Sequence, residues 1–267
     1  MNEDPKITVI TSLFKAGEHI DLFLEDIAKQ TIFHELDWHF IDAASPDGEL
    51  EKILEFQKSF HNVRISRETT KIGLYKAWNK GVKKAKANYI SNLNVDDKLR
   101  YDYYEFMYEQ LEASKDIDII YSNILATRNK DATFNNEYSS SQKTKLMTSR
   151  YCDIISTSHL TAVHCCPVWK KSLHCEAGLF DEGFTIAGDT EFWLRALTLG
   201  KKIRKINDFM ALYYINPDGI STPSDFGGTS EKDALKMLEI ESIHKRYEKE
   251  INKYALQNFD NYLNSQR

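Results

Sequence analysis

The sequence predicts an α/β fold with a mostly parallel central sheet, helices on both faces and a helical C-terminal extension. Three observations predict it. Short β-branched or aromatic runs alternate with segments of helical period along the first half of the chain. Turn-forming residues separate the two kinds of segment. Beyond Pro223 the chain changes to a long charged stretch with one apolar side.

Residues 7–10 form a β-branched run that reads as a buried strand, and residues 18–30 carry Ile20, Leu22, Phe23, Leu24 and Ile27 in an approximate helical stripe. A strand at 36–41 is followed by the turn Ser45-Pro46-Asp47-Gly48 and a helix through Leu50, Ile53, Leu54 and Phe56. A brief strand at 63–66 precedes a helix over 74–87, whose Lys80, Lys83, Lys84 and Lys86 lie on its exposed side. Then come a strand at 89–95, a helix at 101–113 and a strand at 117–124. Strands alternating with helices indicate βαβ units, and these require a parallel sheet covered on both faces. Residues 126–150 are rich in Asn, Ser, Thr and Lys and read as a loop or irregular excursion. Further on, 160–169 and 203–215 look like strands and 189–199 like a helix. From Glu231 towards Leu263 a helical stretch carries Leu235, Leu238, Ile240, Ile243 and Tyr247 on its apolar side.

A chain of 267 residues suits one large α/β domain with an extension, and a hydrophobic content of 42% suffices for a core. The net charge of −5 argues against a nucleic-acid partner, which would call for a basic stripe. Cys152, Cys165, Cys166 and Cys175 are too few and too clustered for a disulfide framework and fit a reducing compartment. Acidic residues stand where a leader peptide needs basic ones, and no stretch approaches a membrane span. The expectation is a cytoplasmic chain whose membrane contact is at most peripheral at the inner face, with the lysines of residues 80–86 as the place where anionic lipid would be met.

In an open α/β sheet, ligands bind outside the carboxyl ends of the strands. Asp42 follows the strand at 36–41, with Asp47 five positions on, and Asp96 and Asp97 follow the strand at 89–95. Parallel strands would bring both groups to one rim. Neither G-x-G-x-x-G nor G-x-x-x-x-G-K-[ST] is present, which disfavours a dinucleotide site and a P-loop. An acidic rim repels a diphosphate unless a divalent cation lies between them, and oxygen ligands suit Mn2+ or Mg2+. A metal-bridged diphosphate is the economical explanation.

Five blocks, in order, resemble a known family. Phe40-Ile41-Asp42-Ala43-Ala44-Ser45-Pro46-Asp47-Gly48 is similar to the V-D-G-x-S-x-D-G signature of glycosyltransferase family 2. Lys71-Ile72-Gly73-Leu74-Tyr75-Lys76-Ala77-Trp78-Asn79-Lys80-Gly81 resembles its K-G-x-Y-x-A-x-N-x-G block, and Leu93-Asn94-Val95-Asp96-Asp97 its L-N-x-D-D region. The run from His164 to Gly178-Leu179-Phe180-Asp181-Glu182 is similar to the H-x-x-x-F-x-R-x-x-F-x-x-x-G-x-F-D-E segment. Gly188-Asp189-Thr190-Glu191-Phe192-Trp193-Leu194-Arg195 resembles the block that holds the catalytic base.

The resemblance covers roughly residues 6–220 and implies a GT-A type, Rossmann-like domain. Residues 1–125 would be its nucleotide-sugar-binding half, 126–222 its acceptor and catalytic-base half, and 223–267 a helical extension. It further implies that Thr11, Asp42, Asp47, Lys71, Gly73, Asn79 and Asp97 serve the donor, that Asp96 holds Mn2+ or Mg2+, and that Asp189 is the general base. His164 and Trp193 are candidates for a sugar or acceptor contact. The implied activity is inverting transfer from a UDP-sugar to a saccharide or lipid-linked saccharide, as in bacterial surface-polysaccharide assembly. The chain departs from the pattern at Asn94, where the first acid of the metal motif usually stands, and in residues 213–221, which lack the late metal-binding histidine of many relatives.

Plainer roles compete at several positions. Asp47 suits its turn, Asp96 and Asp97 could cap the following helix, and Asp189 could favour a helix N-terminus. Glu191 and Arg195, spaced i, i+4, read as a structural ion pair. His164, Cys165, Cys166, His174 and Cys175 match no common zinc spacing, and the cysteines read as small buried hydrophobes. His164 is open between a sugar contact and a packed histidine, while Trp78, Trp169 and Trp193 read by default as core. Two other functions stay open at this point: a sugar-phosphate nucleotidyltransferase, for which Phe14-Lys15-Ala16-Gly17-Glu18 is a poor triphosphate loop, and a non-catalytic nucleotide-sugar-binding module.

Overall fold

The computed structural model describes residues 4–139, 145–147, 153, 154, 157, 163, 165–222 and 230–265. A nine-stranded sheet in the order β3-β2-β1-β4-β8-β6-β9-β5, with β7 paired to β6, organises the chain. Its first four members, β1 (Ile7–Leu13), β2 (Leu36–Asp42), β3 (Val63–Arg67) and β4 (Tyr89–Asn92), are mutually parallel, as the alternation with helices predicts. Helices α1 (Ile20–Ile27), α2 (Glu49–Ser59) and α3 (Leu74–Lys83) make the crossovers between them.

The second half of the sheet is mixed. Strand β8 (Val168–Lys170) runs antiparallel between β4 and β6 (Ile119–Thr127), and β9 (Ile203–Tyr214) lies parallel to β6. The short β5 (Lys98–Leu99) and β7 (Lys145–Met147) add antiparallel edges. Two reversals through β8 restore the original direction, so the carboxyl ends of β6 and β9 fall on the same rim as those of β1, β2 and β4. The strand expected at 89–95 stops at Asn92, and the stretch expected to be a loop contains α5 (Phe134–Ser139) as well as β7.

Side chains alternate between faces along each strand. Val9, Trp38 and Phe40 join Phe23 of α1 and Tyr103, Tyr104 and Met107 of α4 (Tyr103–Ala113) in one core. Ile10, Ile41 and Trp169 face the other way, onto Tyr75 and Trp78 of α3 and onto Phe192 and Trp193 of α7 (Gly188–Thr198), with Phe180 beside them. Between these elements lies the short helix α6 (Leu173–Glu176). Gly81 lets α3 approach the sheet closely, because a Cβ there would meet Ile10 Cγ2 at 2.5 Å. The C-terminal stretch is two helices rather than one, α8 (Glu231–Arg246) and α9 (Glu248–Ser265), separated at Tyr247. Ile243 and Ile251 anchor them in the second core. Among the described residues no helix is long and apolar enough to cross a membrane.

Candidate active site

Asp42 is the last residue of β2 and is buried. Its Oδ1 accepts the Ser45 N–H at 2.8 Å, and Oδ2 lies 3.5 Å from Nε of Arg67, the last residue of β3. The tight turn that follows holds Ala44 at φ +63°, a left-handed conformation that a residue with a Cβ rarely adopts. Ser45 accepts the Lys15 N–H at 2.8 Å and donates to Glu49 Oε1, which also accepts the Ala16 N–H at 3.0 Å. The β1–α1 and β2–α2 loops are thereby stitched together. Beside them a pocket of about 360 Å³ is lined by Ala44, Ser45, Arg67, Glu68 and Thr69.

Asp47 is exposed on the turn, next to Gly17. Lys71 is also exposed, its Nζ 4.3 Å from the ring centroid of Phe14, and Gly73 stands at the N-cap of α3 with open space around it. Thr11 is buried within β1, and its Oγ1 has no partner among the described residues. Asn79 is not brought to this surface: its amide donates to the Phe180 carbonyl at 2.9 Å and to Glu182 at 3.0 Å, and its oxygen accepts the Phe180 N–H. It binds α3 to the 180–182 turn.

Asp96 lies on the loop after β4, half-exposed, and its Oδ2 accepts the Asn216 amide at 3.0 Å. Asn216 follows β9, so this bond ties two strand ends together. Asp97 is buried beneath it, with Oδ1 unpartnered among the described residues and Oδ2 3.3 Å from the Asn94 amide. Burial, and then the Asp96 charge, push the Asp97 carboxyl well above the usual carboxylate range. Ligating atoms of Asp97, Cys165 and Cys166 lie within 4.8 Å of one another, and burial raises the Cys166 thiol well above its ordinary value. His174 is engaged on both ring nitrogens, by the Gly178 carbonyl and the Trp169 indole. A divalent cation fits at Asp96: the residue presents oxygen, one carboxylate oxygen is free of the Asn216 bond, and the side chain is accessible.

Asp189 is the second residue of α7 and is half-buried. Its Oδ1 accepts the Thr190 N–H at 2.8 Å and faces the Tyr75 hydroxyl at 3.3 Å. Burial raises its carboxyl, and these two donors oppose the rise. Tyr75 is in the first turn of α3, which begins after the carboxyl end of β3, so Asp189 belongs to the same rim as Asp42 and Asp96. Trp193, three residues after Thr190 on α7, does not reach that rim; it is packed edge-on against Trp169, Phe180 and Phe192. His164 lies outside the described residues. Glu191 and Arg195 form the expected ion pair, at 2.7 Å, joined by Arg246 at 3.2 Å.

Several residues at the rim escaped the sequence. Arg67 ends a parallel strand, and the rule that singled out Asp42 would have found it. Ser45 and Tyr75 carried no signal beyond membership of motif segments, and Glu49 and Asn216 lie outside the five blocks.

A family model, glycosyl transferase family 2, matches residues 8–174. The chain belongs to that family. Its described architecture is correspondingly that of a GT-A glycosyltransferase. By sequence the family 2 chain is similar to two glycosyltransferases of Streptococcus pneumoniae serotype 4. It is 28% identical to GlyG over 114 residues, which is 43% of this chain and 37% of GlyG. It is also 28% identical to GlyA over 117 residues, 43% of this chain and 16% of GlyA. These matches take in well under two thirds of either relative. By fold it is similar to S. aureus TarS 1-349 in complex with UDP-GlcNAc, with a TM-score of 0.66 at 16% identity over 89% of this chain and 66% of that one. It is similar too to the mannosyltransferase PcManGT of Pyrobaculum calidifontis in complex with GDP-Man and Mn2+, with a TM-score of 0.61 at 16% identity over 82% and 59% of the two chains.

Proposed function

We propose that this family 2 glycosyltransferase transfers a sugar from a UDP-sugar, with inversion, to a saccharide or lipid-linked saccharide acceptor in surface-polysaccharide synthesis. The observation that carries the proposal is the Asp189 carboxyl: half-buried, raised by that burial, and held against Tyr75 at the rim that also bears Asp42 and Asp96. A base whose affinity for a proton is raised accepts one more readily from an attacking hydroxyl.

Asp189 takes the proton of the acceptor hydroxyl as its oxygen attacks the anomeric carbon. The bond from that carbon to the diphosphate oxygen breaks on the opposite face, and its electron pair leaves with UDP. The transition state is oxocarbenium-like, as in glycoside hydrolysis. Asp42, Arg67 and the pocket beside Ser45 hold the nucleoside, with Asp47 and Thr11 alongside. Lys71 and the N-terminus of α3 at Gly73 offer positive potential to the phosphates. A divalent cation held at Asp96, when bound, supplies Lewis-acid stabilisation to the diphosphate leaving group. The buried Asp97 underpins the Asp96 loop. The UDP and UDP-GlcNAc complexes of TarS support a uridine donor, and the Mn2+ of the mannosyltransferase supports the metal. The lysines of residues 80–86 would meet the inner membrane face peripherally if the acceptor is lipid-linked.

The test is a thermal-shift screen with UDP-glucose, UDP-galactose and UDP-GlcNAc, followed by UDP-release assays. Asp189→Asn should keep the donor-induced shift and lose UDP release by about 10²–10⁴-fold. Release of pyrophosphate from UTP and a sugar phosphate would point instead to a nucleotidyltransferase. Donor binding without turnover across an acceptor panel would point to a binding module.

A further inference from the structure

We infer that Glu239, on the C-terminal helix α8, is a positioning residue that holds the turn presenting Asp189. The inference rests on Asp189 being the base. Glu239 lies outside the family-matched span of residues 8–174 and was not among the apolar positions that the helical pattern picks out. Of α8, the buried residues are Glu239, 8% exposed, and Ile243, whereas Met237 and Leu238 are 70% and 64% exposed. A carboxylate thus occupies an inward position on a helix that leaves leucine and methionine outside.

A buried carboxylate is costly unless donors satisfy it. Here three consecutive backbone groups do so. Glu239 Oε1 accepts the Thr185 N–H at 2.6 Å, and Oε2 accepts the N–H groups of Ile186 at 2.9 Å and Ala187 at 2.7 Å. These residues lead directly into α7, whose N-cap, Ala187, has no capping side chain. Donors at a helix start need a partner, and Glu239 supplies it from a helix more than fifty residues further along the chain.

The same turn is held from its other side. The Ile186 carbonyl accepts the Tyr75 hydroxyl at 2.7 Å, and that hydroxyl also faces Asp189. Ile186 therefore stands between Glu239 and Tyr75, with Asp189 three residues on. Removing the carboxylate would free three N–H groups and let the turn, with Asp189, drift from the attacking oxygen. A displacement of about 1 Å at a reacting group can cost on the order of 10²-fold in rate.

The test uses the full chain, the UDP-release assay with UDP-glucose, UDP-galactose and UDP-GlcNAc, and hydrogen exchange. Glu239→Ala is expected to lower kcat by about 10–100-fold with the donor KM within about twofold, since the donor residues lie elsewhere. Glu239→Gln, which keeps one acceptor oxygen for Ile186 and Ala187, should fall between wild type and Glu239→Ala, and it serves in place of Glu239→Ala if that variant does not fold. Exchange of the amides in residues 185–187 should quicken in both variants. In the Asp189→Asn background, Glu239→Ala should reduce kcat no further. A lowered melting temperature with unchanged kcat would show a merely structural contact and overturn the inference, as would unchanged exchange in residues 185–187 whatever the turnover. If Asp189→Asn keeps wild-type kcat, it is the base assignment that fails.

Discussion

The Tyr75 hydroxyl lies 3.3 Å from Asp189 Oδ1 and 2.7 Å from the Ile186 carbonyl oxygen, joining residues 114 positions apart. This contact opposes the rise that burial imposes on the Asp189 carboxyl. Tyr75→Phe removes it, so the carboxyl should rise further. Because the base acts ionised, the acid limb of the kcat/KM profile should move to higher pH in Tyr75→Phe. Stability supplies the matching sign. A carboxyl raised in the folded state favours folding below its unfolded value, near 3.8, and loses that advantage as the pH rises through the folded value. Asp189→Asn should accordingly be more stable than wild type at neutral pH, with the difference vanishing in acid; urea titrations across pH measure it.

Gly188 sits directly against the Tyr75 ring. A Cβ at residue 188 would stand 2.7 Å from Tyr75 Cε2 and 2.8 Å from Cδ2. The ring has little room to yield because its hydroxyl is fixed at Ile186. Gly188→Ala should destabilise the fold by about 1–3 kcal/mol, as overpacking does. It should also reduce UDP release by more than about 10-fold by displacing Asp189. Denaturant unfolding and steady-state kinetics on one preparation separate the two effects.

Ala44 carries strain beside the Asp42 turn, at φ +63°. A left-handed residue with a Cβ costs roughly 1–2 kcal/mol, and glycine gives back about 0.5–1 kcal/mol of that through the extra entropy it loses on folding. Ala44→Gly is expected to gain about 0.5–1 kcal/mol in urea unfolding. A loss of stability would mean that the methyl group makes a contact that outweighs the strain.

Asp96 and Asn216 make a separable pair. Asp96→Ala should abolish the extra thermal stabilisation that Mn2+ gives in the presence of a UDP-sugar. Asn216→Ala keeps the carboxylate but frees it from the 3.0 Å bond, and should weaken the apparent Mn2+ affinity by about 10-fold, as loss of an orienting partner does. Equal donor stabilisation with and without Mn2+ in wild type would remove the metal from the mechanism while leaving the transferase intact.

The parallel half of the sheet was legible because each strand run is bounded by turn residues and followed by a helical stripe. Asp42 and Asp96 were legible for the same reason: parallel strands end on one rim, and acids at those ends stand out. A strand was expected at 160–169, of which 160–162 and 164 lie outside the described residues, and β8 occupies Val168–Lys170; its reversed direction was not legible, since nothing local announces it. The break at Tyr247 has no glycine or proline to mark it. Asn79 sits in a motif segment, yet residue type does not reveal which helix face turns inward, and it is taken up by packing; Trp193 is core, as its default reading had it, and not the alternative sugar contact. Glu239 reads as an ordinary surface acid until its partners more than fifty residues upstream are known.

The most direct test of one-step transfer with Asp189 as the base is the anomeric configuration of the first-formed product, followed by proton NMR with an α-configured UDP-sugar. A β-linked product is expected, because attack and departure occur on opposite faces of the anomeric carbon. An α-linked product would mean that the configuration is retained, and a single displacement driven by Asp189 would be contradicted.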